Sequence, residues 1–164
     1  MDFADRFKFG VEWNYKTVTL FAVLLFLPNL LGMINVGTAI GFKIHFFQIA
    51  IFIAALIYGP FGGLLSGLIG SFYSAIIMNN PYIIIGNMIL GFFAGYFCRK
   101  RFNTIVAVLL AFCIQLPWIV LTDFYLVGLS MPFIYSLILA LLVSNILWAF
   151  IAHHSYKPIK NSLR

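Results

Sequence analysis

Between Thr17 and Ala152 the only charged side chains are Lys43, Arg99, Lys100, Arg101 and Asp123, and the remainder is a succession of apolar runs broken by Gly, Pro and Asn. Runs of roughly 20 apolar residues are what a helix needs to cross a hydrocarbon core of about 30 Å. The chain has 164 residues, of which 63% are hydrophobic and 9% charged, with a mean hydropathy of +1.06. One water-soluble core cannot hide that much apolar surface, so the expected solvent is a bilayer. At roughly 20 residues each, about six spans use about 120 residues and leave no room for a second domain. No signal-peptide pattern stands near the start, so the whole chain is expected to be mature membrane protein.

The breaks divide the chain into an interfacial segment at 1–16, a transmembrane domain at 17–152 and a polar cytoplasmic tail at 153–164. Aromatic and charged residues alternate in the first segment, as suits the headgroup layer. The spans are expected at 17–34, 44–58, 64–78, 82–98, 104–122 and 132–152. Pro28 and Asn29 mark a bend or stop near the end of the first, and residues 32–42 read as a loop or re-entrant turn. Gly59-Pro60-Phe61-Gly62-Gly63 and Asn79-Asn80-Pro81 are turns. The fold class is therefore all-α: an integral membrane bundle of six transmembrane helices.

Lys and Arg concentrate on the cytoplasmic side of short loops. With both termini cytoplasmic, Arg6, Lys8, Lys16, Arg99, Lys100, Arg101, Lys157, Lys160 and Arg164 share that side, and Lys43 is the exception. The net charge of +6 thus reflects topology rather than nucleic-acid binding. Asp123 is the one acid on the outer side, so Lys43 and Asp123 form the natural charged pair for a polar ligand, with His45 beside Lys43. Asn80, Tyr82, Asn87, Gln115, Trp118 and Tyr125 add amides and flat aromatic faces suited to a small planar molecule. The same residues also suit plainer roles: charged anchors at span ends, turn formers, and aromatic-belt anchors. Asn145, deeper in the sixth span, is expected to join helices by a hydrogen bond.

Gly63-xxx-Gly67, Ser66-xxx-Gly70-xxx-Ser74 and Gly91-xxx-Gly95 are small-residue stripes that allow close helix packing, expected within the bundle. Cys98 and Cys113 have no CxxC partner, so neither a disulfide nor a metal site is expected. There is no phosphate-cradling loop, hydrolase elbow or paired-carboxylate site, so neither catalysis nor a cofactor is expected. His153-His154 is the sole hint toward a membrane enzyme, and it sits in a basic flank.

The order of these features resembles the substrate-binding S components of energy-coupling factor (ECF) vitamin transporters. The resemblance rests on the six-span size, Lys43 before an apolar second helix, Gly59-Pro60-Phe61-Gly62 followed by Gly67, and Asn80-Pro81 leading to Gly86-Asn87-Met88-Ile89-Leu90-Gly91 and Gly95. It covers roughly residues 37–146. It implies a non-enzymatic subunit of the cell membrane that captures a vitamin or similar micronutrient on its outer face. Delivery then requires a transmembrane coupling subunit with two ATPase subunits. Family members often carry an alanine-rich small-residue stripe on the first helix for docking, whereas here Ala22 is followed four residues later by Phe26. The alternative is an MreD-like cell-shape scaffold of similar size. Such proteins usually carry an aspartate soon after the third-span glycine turn, where this chain has Gly63, Gly67 and Ser71.

Overall fold

A computed structural model describes residues 9, 11–37 and 43–163, with 35–37 and 43 described through their backbone. Helix α1 (Tyr15–Gly32) leads into a two-stranded ribbon of β1 (Asn35–Gly37) and β2 (Lys43–His45). Then come α2 (Gln48–Gly70), α3 (Phe72–Ile77), α4 (Tyr82–Arg99), α5 (Thr104–Leu121), a π-helical turn (Thr122–Leu126) and α6 (Met131–Ser162). The ribbon is antiparallel, with Asn35 opposite His45 and Gly37 opposite Lys43. Among the described residues five helical stretches are long and apolar enough to cross a membrane: Tyr15–Gly32, Gln48–Ile77, Tyr82–Arg99, Thr104–Leu126 and Met131–Ser162. The chain is an all-helical, multi-pass membrane bundle. The expected interfacial segment lies mostly outside the described residues, as do Arg6, Lys8, the loop at 38–42 and Arg164.

The second and third expected spans fall within one stretch, Gln48–Ile77, and the turn anticipated over Gly59–Gly63 is there but confined to Gly59. Helical hydrogen bonding runs up to and past Gly59, and the direction changes at that single residue, with φ 80° and ψ −163°. This left-handed φ is open to glycine, and Pro60 after it has no N–H to donate. In a continuous helix Ala55 and Gly63 would lie about 12 Å apart. Instead a Cβ added to Gly63 would stand 2.9 Å from that of Ala55, and Gly91 meets both Gly63 and Ile51. The two arms of α2 therefore fold back on one another. The first arm begins at Gln48 rather than at the expected residue 44, because residues 43–45 are taken into the ribbon.

Side chains and glycines fasten the arms to their neighbours. Asn14 caps α1 reciprocally with Thr17: the Asn14 side chain accepts from Thr17 N at 3.0 Å and Thr17 Oγ1 accepts from Asn14 N at 2.8 Å. Pro28 does not end α1, which continues to Gly32. Asn29 instead braces the break after Gly70, donating to Ile69 O at 2.8 Å and accepting from Tyr73 N at 2.9 Å. Ser66 Oγ donates to Leu24 O at 2.7 Å and Tyr58 OH to Thr17 O at 2.6 Å. The second arm meets α4 backbone to backbone, with Gly63 on Gly91 and Gly67 on Asn87. The small-residue stripes thus serve internal packing. Phe52, Leu90, Val108, Phe112 and Ala149 fill the centre of the bundle.

The ends differ in chemistry. Arg99 lies against Gly59 at one end, and the start of α1 meets the end of α6 through a 3.0 Å bond from Asn14 Nδ2 to Leu163 O. α6 runs on as helix through residues 153–162, where a polar tail was expected. Asn80 and Asp123 stand at the other end, where α4 begins and α5 finishes.

Candidate functional site

The end distant from Arg99 is built from a chain of short bonds between α4 and α5. Asn79 turns the backbone with φ 49°. Asn80 then donates its amide to Asp123 Oδ1 at 2.7 Å and accepts from Tyr82 N at 3.1 Å. Trp118 Nε1 donates to Tyr82 O at 3.0 Å, and the two rings meet edge to face at 6.5 Å. After Leu121 the helix widens into the π turn, which places Asp123 inward at 5% exposure. One extra residue in a turn shifts the direction of every side chain after it. Asp123, expected at the start of an outer loop, is a buried residue of the bundle.

A second group of polar atoms lies one to two turns deeper. Asn87 donates to Ser71 Oγ at 2.8 Å, and Ser71 Oγ donates to Gly67 O at 2.6 Å. Gln115 is 4% exposed, and its side-chain amide makes no hydrogen bond among the described residues. The ribbon supplies a third wall. Its backbone at His45 is satisfied by α6: His45 N donates to Ser144 Oγ at 3.2 Å and His45 O accepts from Trp148 Nε1 at 2.7 Å. Non-helical backbone inside a membrane bundle is tolerated where protein groups satisfy it in this way.

These three groups enclose a cavity of about 140 Å³. An apolar cavity of ~150 Å³ holds a benzene-sized molecule, so the room suits one aromatic ring. Of the residues singled out from the sequence, His45, Asn80, Tyr82, Asn87, Gln115, Trp118 and Asp123 line it. Tyr125 does not: it is 72% exposed and packs edge to face on Phe124 at 4.9 Å. The Lys43 side chain lies outside the described residues, and the bond that Asp123 does make is to Asn80. Sequence reasoning missed Phe47, Tyr73, Ser74 and Thr122, as well as Leu137 and Leu141 of α6. Ser74 was visible in the small-residue stripe, but the apolar contributors carry no mark that separates them from other span residues.

Asn145 is a correction. It is fully buried in α6, yet neither Nδ2 nor Oδ1 has a partner among the described residues, so it joins none of the described helices by hydrogen bonding. Among the described residues no group of three His, Cys, Asp or Glu could hold a metal ion. The cavity can orient a small ring by amides, a carboxylate and an indole face.

A mostly apolar, partly amide-lined cavity inside a membrane bundle defines a membrane protein that binds a small molecule. The family model for the substrate-specific component of ECF transporters matches residues 16–159, and the chain belongs to that family. Among curated proteins and among solved structures nothing matches it. Its family consists of transporter substrate-binding subunits rather than enzymes.

Proposed function

We propose that this chain captures a vitamin or related micronutrient in the cavity between α4, α5 and the ribbon. It then releases the molecule inward when docked on a transmembrane coupling subunit driven by two ATPase subunits. The observation that carries the reading is the convergence of seven residues, from His45 to Asp123, on one cavity in a chain of the substrate-specific family. The fold-back at Gly59 supports six crossings, counting the two arms of α2 separately. Lys16, Arg99, Lys100, Arg101, Lys157 and Lys160 are on the side assigned to the cytoplasm, together with both termini. The cavity then opens toward the outer face of the cell membrane, and Lys43, on the ribbon strand next to His45, is the residue we assign to the ligand's acceptor groups. The family match favours this reading over the MreD-like scaffold.

Native mass spectrometry of the protein purified gently from its own membranes tests the proposal. The expected result is a retained mass of vitamin size, or a complex with one coupling subunit and two ATPases. Cell-wall or cytoskeletal partners without any ligand would overturn it.

A further inference from the structure

A second pocket, of about 260 Å³, lies at the basic end between α2, α4, α5 and α6. We propose that it binds a phosphate group, in the membrane that of an anionic phospholipid headgroup. Arg99, Asn103, Thr104, His153 and Lys160 line it, and among the described residues no carboxylate does. The Nη2 atom of Arg99 is buried and has no hydrogen-bond partner among the described residues. Its guanidinium is held against the fold-back of α2: a Cβ on Gly59 would come within 3.0 Å of Nη2 and 3.1 Å of Nε. A guanidinium carries five N–H donors in a rigid fork and accepts nothing, and phosphate oxygens match that fork in pairs. His153 Nδ1 is engaged with Thr104 Oγ1 at 2.9 Å, which fixes the ring and leaves Nε2 as its remaining nitrogen. Phe102, 45% exposed, adds an apolar wall. A basic pocket between membrane helices, polar on one side and apolar on the other, fits a headgroup and the start of its acyl chains.

This inference rests on the membrane bundle alone and stands apart from the capture cavity. Delipidated full-length protein in a neutral detergent is titrated with dioleoylphosphatidylglycerol, dioleoylphosphatidylcholine and inorganic phosphate, and bound adducts are read by native mass spectrometry. Phosphatidylglycerol is expected to bind one to one, at least tenfold tighter than phosphatidylcholine, and tenfold weaker to Arg99→Gln. Arg101→Gln, at the same end but outside the lining, is expected to bind as the parent does. Displacement of the lipid by millimolar phosphate identifies a free anion as a second source of the same chemistry; no displacement assigns the site to lipid. Equal binding of the two lipids, or unchanged phosphatidylglycerol binding in Arg99→Gln, would overturn the proposal. Should Arg99→Gln fail to fold, Arg99→Lys and Lys160→Gln are read instead: several-fold weaker binding is expected, and parent-like binding by both overturns it.

Discussion

The two halves of α4 use glycine for opposite ends. In its second half Gly91 and Gly95 lie so close to the α2 backbone at Gly63 and Gly59 that no Cβ fits without movement of the main chain. In its first half a Cβ on Gly86 would meet Gln115 Nε2 at 3.3 Å and Trp118 Cδ1 at 3.4 Å, which are side-chain atoms at a cavity wall. The second half closes a seam, and the first, which joins that seam at Asn87 against Gly67, also keeps a room. A helix that is rigid where it is sealed can hold its open half in place without filling it.

Gly91→Leu strikes the seam and is expected to have the largest effect. Overpacking against side chains costs about 1–3 kcal/mol. Here the obstacle is the Gly63 carbonyl, which cannot rotate away, so the expected outcome is loss of a monodisperse peak in size-exclusion chromatography. A well-folded variant would mean the seam is looser than its geometry. Within the cavity, Asp123→Asn and Lys43→Met should each weaken binding of the retained ligand tenfold or more, about 1.4 kcal/mol. Parent-like titrations of both would end the charged-pair idea.

Gln115→Leu separates room from seam most sharply. It removes a cavity-lining amide that has no partner among the described residues, so the unliganded protein should melt at the same temperature or a few degrees higher, while ligand affinity falls several-fold. A lower melting temperature with unchanged affinity would make Gln115 a structural residue. Trp118→Phe deletes the bond to Tyr82 O and should cost about 1 kcal/mol in thermal stability, with a smaller loss of affinity. Smallest of all is Tyr125→Ala, expected to leave binding within about twofold, a change of under ~0.5 kcal/mol. A clear loss would show that the exposed ring covers the cavity in the bound state.

Most of the candidate site was legible because polar groups are rare within these spans, and an amide such as Asn87 or Gln115 among apolar neighbours is visible on inspection. Position along a span could not separate Trp118, which lines the cavity, from Tyr125, which does not. The difference comes from the π turn, whose register shift has no signature in hydropathy. Asn145 shows the opposite failure: depth in a span implied a hydrogen bond that the packed helices do not supply. Gly59-Pro60 was readable as a break. That the break is a single-residue fold-back, sealed by Gly63 against Gly91 and by Arg99 against Gly59, was not.

By itself the sequence determined the solvent, the all-helical class, the approximate limits of the apolar segments and the polar residues available to a ligand. Those are properties of composition and of neighbours a few residues apart. Only the tertiary structure decided that Asn80 pairs with Asp123, 43 positions away, that Trp118 bonds Tyr82 across 36 positions, and that the ribbon leans on α6 at Ser144 and Trp148. Contacts of that range depend on which faces of the helices meet, and the hydropathy of near-uniformly apolar helices does not encode their faces.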